Sequence, residues 1–216
     1  MTKQIWMGTY YRWLLLKRLG FSKLSGANLL EIGCHDGFII NHFCGSKKTG
    51  IDLEPVKLYP QINYLQGDFL EHDFKGQEFD LIISLEVMEH VKYPARYLQN
   101  LDKILAPGGK ALLSVPSKQI KIFPYLFQSY IDKRWGHNFR RGYSVTELHQ
   151  LLQGNLSGRK YKLIAWNCPL WRTIYIPLKL LWNISPAMTK RVLDFTITFD
   201  HKFRKGRKGF FYVMIG

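Results

Sequence analysis

The stretch Leu30-Glu31-Ile32-Gly33-Cys34-His35-Asp36-Gly37 sets glycines where an apolar run gives way to Phe38-Ile39-Ile40-Asn41. A backbone that must come close to a nucleotide-like ligand needs residues without a Cβ there, because side chains would fill the space. A dinucleotide fingerprint would put glycine at 33, 35 and 38; the chain has His35 and Phe38, which disfavours NAD. Nineteen residues after Gly33, Asp52 closes the next apolar run, where a carboxylate can accept hydrogen bonds from both hydroxyls of a ribose. Asp68, in Gln66-Gly67-Asp68-Phe69, follows a third run and is placed for an adenine amino group, with Phe69 stacking on the ring. A second kind of chemistry lies in Glu86-Val87-Met88-Glu89-His90, whose two carboxylates and imidazole offer oxygen and nitrogen to a divalent cation.

These residues need a scaffold, and short apolar runs supply one. Asn28–Ile32, Thr49–Leu53, Ile62–Leu65, Phe79–Leu85 and Lys110–Val115 each read as a buried strand. Helical patterns alternate with them at Phe38–Phe43 and Tyr97–Leu105, the sign of a parallel sheet covered on both faces. Pro107, Gly108 and Gly109 end the second helix and turn the chain into the next strand. Ser144–Leu152 reads as a helix with Ser144 at its N-cap and Glu147 three residues on. Tyr161–Trp166 and Phe210–Ile215 complete seven strands. The segment between these last two, 168–208, is too long for an ordinary connection, so it should be functional or disordered.

The order LLEIGCHDG, GIDLEP, QGDF and FDLIISLEVMEHVKYPARYLQNLDKILAPGGKALLSVPS resembles the class I S-adenosylmethionine-dependent methyltransferases over about residues 27–117. The resemblance implies an α/β, doubly wound, mostly parallel seven-stranded sheet with helices on both faces, a Rossmann-like fold. It implies S-adenosylmethionine as cofactor. Glu31, Gly33 and Gly37 would shape the pocket for the methionine part, Asp52 and Leu53 would hold the ribose side, Asp68 and Phe69 the adenine, and Ser84 would face the methionine end and the acceptor. His35 departs from the family, which usually has glycine there. Its side chain must point to solvent for the loop to keep its shape.

Methyl transfer from a sulfonium is an in-line displacement, so the protein must align donor and acceptor and exclude water. A hydroxyl acceptor also needs a base within hydrogen-bond reach. His90 and His137 are the candidates. The E-x-x-E-H string also resembles the metal-binding motif of ubiquinone-pathway O-methyltransferases and of small-RNA 2′-O-methyltransferases. In the RNA enzymes a later histidine completes the set, which here would give Glu86, Glu89, His90 and His137. Metal-free relatives carry a similar string as a helix cap. His35, His42, His72 and His149 carry no site argument.

The net charge of +15 is unevenly distributed. Residues 1–119 carry 14 Lys/Arg against 12 Asp/Glu, and residues 120–216 carry 17 against 4, so the second part holds +13. Lys202, Arg204, Lys205, Arg207 and Lys208 are its densest point. Partners of such a segment are phosphate-rich, whether anionic lipid, nucleic acid or a phosphorylated substrate, unless the run is only a solvated face. Within 168–208, Trp171, Ile174, Tyr175, Leu178, Leu181 and Trp182 fall on one helical face, which Pro177 should kink or interrupt. That face suits a membrane interface, a lid closed on the protein's own core, or single-stranded nucleic acid.

Three cysteines without a CxxC pair argue against a disulfide scaffold or a closed zinc site and point to a reducing compartment. Arg12, Lys17 and Arg18 interrupt Leu14–Leu16 too soon for a signal peptide, and no window is long and apolar enough to span a bilayer. The expectation is one domain over 1–216, with an N-terminal helical cap at 1–26, a cofactor-binding half at 27–119 and a substrate-side half at 120–216. The expected protein is cytoplasmic, or peripheral on the inner face of a membrane, and O-methylates a small or lipid-linked acceptor. The alternatives are a metal-dependent RNA 2′-O-methyltransferase and a non-catalytic subunit tethering a partner to membrane or nucleic acid.

Overall fold

The computed structural model describes residues 5–137 and 139–216; residues 1–4 of the expected cap, and Asn138, lie outside them. The strands are β1 (Asn28–Ile32), β2 (Lys47–Asp52), β3 (Ile62–Gln66), β4 (Phe79–Leu85), β5 (Leu105–Pro116), β6 (Tyr161–Asn167) and β7 (Gly209–Ile215). They form one sheet in the order β3-β2-β1-β4-β5-β7-β6, parallel from β3 to β5, with β7 antiparallel to both of its neighbours. The seven expected strands are therefore all present. The strand order reverses between β1 and β4, which opens a crevice at their carboxyl ends, the place where α/β sheets of this kind hold ligands.

Near-continuous apolar runs make these strands because both faces of a parallel sheet are buried. One face is covered by α1 (Met7–Arg18), α2 (Phe38–Asn41), α6 (Pro169–Ile184) and α7 (Pro186–Lys202), the other by α3 (Pro94–Ile104) and α5 (Val145–Asn155); α4 (Gln128–Arg134) lies in the link between β5 and α5. Alternation along β4 sends Leu81, Ile83 and Leu85 to the first face and Ile82 to the second. Ser144 and Glu147 form the expected capping box on α5, worth about 1 kcal/mol.

An interruption at Pro177 and a strand starting at Lys110 are corrected, and among the readings of the Trp171–Trp182 face the one closed on the protein's own core holds. The 168–208 segment is an ordered helical hairpin, and α6 continues through Pro177 without interruption. The Trp171–Trp182 face is turned onto the protein's own core: Trp171, Leu178 and Trp182 are buried, and Trp171 stacks on Tyr11 of α1 with ring centroids 4.9 Å apart. That burial stabilises the fold by roughly 2–3 kcal/mol per large side chain, so this face cannot also lie in a membrane. β5 is also longer than expected, starting at Leu105, with a register shift before its main pairing with β4 begins at Lys110.

Candidate functional site

Gly33 and Gly37 stand in the left-handed region, at φ +72 and +75, immediately after β1. A Cβ on Gly33 would collide with the Val87 side chain, and one on Gly37 would sit 2.5 Å from the Tyr64 hydroxyl, so both positions need glycine for conformation and for space. His35 takes φ +44 between them, an uncommon region for a residue with a side chain. Its cost is offset by anchoring: the His35 N–H donates to Asp52 Oδ2 at 2.8 Å, the His35 carbonyl accepts from Val56 N–H at 2.8 Å, and the ring lies against Trp6 at 4.5 Å. The side chain is therefore not turned fully to solvent: the ring is half-buried on Trp6, with Nδ1 buried 3.7 Å from Asp36 Oδ2.

Asp52 at the end of β2 also accepts the Glu54 N–H through Oδ1, at 3.1 Å. Each carboxylate oxygen keeps a spare lone pair and the group is partly exposed, a fit for two ribose hydroxyls. Leu53 beside it is 67% exposed, an apolar surface free to cover a base. Glu31 sits beneath the loop, 4% exposed, its Oε2 accepting the Ile40 N–H at 3.0 Å. Burial pushes its carboxyl up to about 8. Asp68 accepts the Leu70 N–H at 2.9 Å and stays at the surface of the crevice.

Two expected cofactor contacts are corrected. Phe69 is a core side chain, 5% exposed and packed against Tyr97 and Phe74, so no ring face is open for adenine. Ser84 is buried on the α3 side of β4, with its hydroxyl 2.6 Å from that of Tyr97 rather than facing the crevice.

Beyond β4 the string Glu86–His90 divides. Glu86 adopts φ +57 and its carboxylate lies 3.7 Å from Nε of Arg12, which also donates to the Leu85 carbonyl at 3.4 Å. Glu89 is 1% exposed, and its Oε2 has no hydrogen-bond partner. Burial, and then the charge of Glu86, raise its carboxyl well above the usual range. His90 Nδ1 lies 2.9 Å from the Gly136 carbonyl, which can only accept, so Nδ1 carries a proton; Nε2 lies 3.8 Å from Glu89 Oε1. His137 Nδ1 is buried and unpartnered, and burial with the neighbouring His90 lowers the ring to about 4, so it is neutral at physiological pH.

Ligand atoms from Glu89, His90 and His137 all lie within 4.8 Å of one another. A buried carboxyl group with one unpartnered oxygen, beside two imidazoles, is a donor set matched to a divalent cation, which would supply the missing opposite charge. Glu86 is not part of that cluster; Arg12 takes it instead. The linking segment brings His137 there: the Arg140 guanidinium donates to Tyr143 Oη at 2.8 Å, and that hydroxyl donates to the Met88 carbonyl at 3.0 Å. Next to the His137 ring, at 5.5 Å between centroids, Trp135 donates through Nε1 to Tyr175 Oη of α6 at 3.0 Å.

Arg12 and Trp135 escaped the sequence reading, and Tyr175 entered it as part of a helix face rather than as the partner of Trp135. Arg12 was legible only as a charge interrupting an apolar run, yet a lone arginine between Tyr11 and Trp13 on a largely buried helix must find an anionic partner inside the fold.

The sequence model described as Methyltransferase domain matches residues 6–155. A ubiquinone biosynthesis O-methyltransferase of Nitrosococcus oceani is 33% identical over 119 residues, 49% of this chain and 50% of that protein, so the match spans half of that relative's length. One of Ruegeria sp. (strain TM1040) is 26% identical over 184 residues, 77% of this chain and 74% of its own. Among solved structures, Haemonchus contortus phosphoethanolamine N-methyltransferase 2 in complex with S-adenosyl-L-methionine superposes with a TM-score of 0.62 at 16% identity, covering 97% of this chain and 51% of that one. The N-methyltransferase NodS of Bradyrhizobium japonicum gives 0.55 at 18% identity, covering 94% and 93%.

Proposed function

The chain belongs to the class I S-adenosylmethionine-dependent methyltransferase family, and on that premise we propose that it transfers the methyl group of S-adenosylmethionine to a hydroxyl of a small or lipid-linked acceptor, working in the cytoplasm or on the inner face of a membrane. The observation that carries the reading is the pairing of a cofactor cradle, from Gly33 to Asp52, with a partly buried Glu89–His90–His137 cluster beyond the end of β4. A non-catalytic subunit would need neither.

The residues divide the work. Gly33 and Gly37 admit the cofactor backbone, Glu31 faces its amino group, Asp52 holds the ribose, and Leu53 and Asp68 border the adenine. Bound S-adenosylmethionine supplies an activated methyl group. In-line displacement then asks the protein for alignment and dryness, which the aromatic wall of Trp135 and Tyr175 provides on the acceptor side. The acceptor proton leaves at the cluster, where the His90 imidazole, held through Nδ1 by the Gly136 carbonyl, stands beside the neutral His137 ring as the base. A divalent cation held by Glu89, His90 and His137 would lower the acceptor's own pKa and favour its ionised form.

The same cluster fits a metal-dependent RNA 2′-O-methyltransferase. A radiolabelled methyl-transfer screen over lipid extract, total RNA and protein separates the readings. Label in the lipid or small-molecule fraction is the expected result; label confined to RNA overturns it.

A further inference from the structure

With the Trp171–Trp182 face committed to the core, the exposed apolar surface of the C-terminal part lies elsewhere. α7 carries Phe195, Phe199 and Phe203 at i, i+4 and i+8, exposed by 64, 37 and 51%. The opposite side of the helix, with Leu193, Thr196, Ile197 and Asp200, is buried. The three rings run along the helix against one another, with successive centroids 6.4 and 4.9 Å apart. At the hairpin's tip Ile184 and Met188 add aliphatic surface, exposed by 81 and 52%. Solvated apolar side chains gathered on one helix face call for a partner.

Charge identifies that partner's chemistry. Arg191, Lys202, Arg204, Lys205, Arg207 and Lys208 are all exposed around the stripe, and Asp194 is the sole exposed acid between residues 184 and 208. Lys202, Arg204 and Lys205 also line an open cleft with Asn167, His201 and Phe203, beside the last ring of the stripe. An apolar stripe bordered by cations matches a surface with anionic phosphates outside and hydrocarbon beneath. A second copy of the chain fits poorly, because a self-complementary contact would bring the two sets of cations together. Nucleic acid also fits poorly: Phe199 and Phe203 already lie ring against ring, and Ile184 and Met188 have no π-face for a base.

We propose that the outward face of α7 and the basic segment 202–208 seat this protein on an anionic lipid bilayer. The inference rests on the reading of the chain as a methyltransferase of small or lipid-linked acceptors, and it names the surface that delivers the enzyme to them. The phenylalanines enter the interfacial region while the cations meet lipid phosphates.

The test is co-sedimentation of the full chain with vesicles of phosphatidylcholine and phosphatidylglycerol, and with vesicles of phosphatidylcholine alone. The wild type should sediment with the first and not the second. Replacing Lys202, Arg204 and Lys205 together by Gln should weaken binding on the order of a hundredfold at moderate salt, about fivefold per cation. F195S with F199S, at exposed positions that leave the core intact, should weaken it about tenfold even at low salt. Titration with S-adenosylhomocysteine should be the same for all three proteins. A wild type that ignores the anionic vesicles, or variants that bind them equally well, overturns the proposal. So does a wild-type dimer that the F195S/F199S variant dissolves without losing vesicles, or retention on total RNA as the sole property the variants change. Vesicle binding without S-adenosylhomocysteine binding would sink the methyltransferase reading and leave the surface standing; the reverse result would do the opposite.

Discussion

The carboxylate of Asp52 accepts the backbone N–H of His35 at 2.8 Å, so the acid at the end of β2 also fastens the loop that follows β1. Asp52→Ala should therefore weaken S-adenosylhomocysteine binding by about 1.5–3 kcal/mol, through lost ribose hydrogen bonds and a slackened loop. Calorimetric titration measures it, and the thermal midpoint should fall by a few degrees, because the His35 and Glu54 N–H groups lose their acceptor. Undiminished affinity would remove Asp52 from the cofactor site.

Glu31 makes cofactor binding depend on pH. In the free fold its carboxyl keeps its proton up to about pH 8, whereas in the unfolded chain it releases it in the ordinary carboxylate range. Between those limits the fold binds the extra proton, so stability falls as pH rises through that window, and Glu31→Gln should flatten the decline. The cationic amino group of the cofactor favours the ionised form, so binding should release a proton at pH 7. Titrations in buffers of different ionisation enthalpy should show that release in the wild type and not in E31Q.

For the cluster at Glu89, His90 and His137, dialysis against EDTA should abolish methyl transfer, and a divalent ion should restore it. Glu89→Gln and His137→Ala should match the chelated enzyme, with S-adenosylhomocysteine affinity unchanged. Full activity after chelation would leave the histidine nitrogens as base and exclude the cation.

Asp200 holds the hairpin. Buried in α7, it accepts the N–H groups of Leu170 and Trp171 at the start of α6, at 2.8 and 3.2 Å. Asp200→Ala leaves both donors without a partner, which should cost about 2–4 kcal/mol and lower the thermal midpoint by about 5–10 °C. An unchanged melt would show that the hairpin is held by its apolar contacts alone.

The sheet was legible because most of its strands are short apolar runs closed by a glycine, proline or acid, and a doubly wound fold needs little else. The cradle was legible for the same reason, since Gly33, Gly37 and Asp52 are fixed by backbone demands. Side-chain direction was harder. Ser84 and Phe69 lie next to the crevice in sequence, but the alternation of β4 turns Ser84 to Tyr97, and packing against Phe74 and Tyr97 takes Phe69 into the core. The Trp171–Trp182 periodicity correctly gave a helix with one apolar face, but periodicity is silent on whether solvent, lipid or β-sheet covers that face. Arg12 depended on a contact across more than seventy residues, which no local pattern carries.

The position of β7 also governs the order in which the molecule can be assembled. β6 touches the sheet only through β7, which lies between it and β5 although it follows β6 in the chain by some forty residues. During synthesis β1 to β5 can pair as they emerge, while β6 and the α6–α7 hairpin wait for Gly209–Ile215. Until those residues arrive, β5 presents an open edge and the hairpin's tryptophans lack Phe210 and Tyr212 to close over, so the nascent chain passes through a stage that invites chaperone capture.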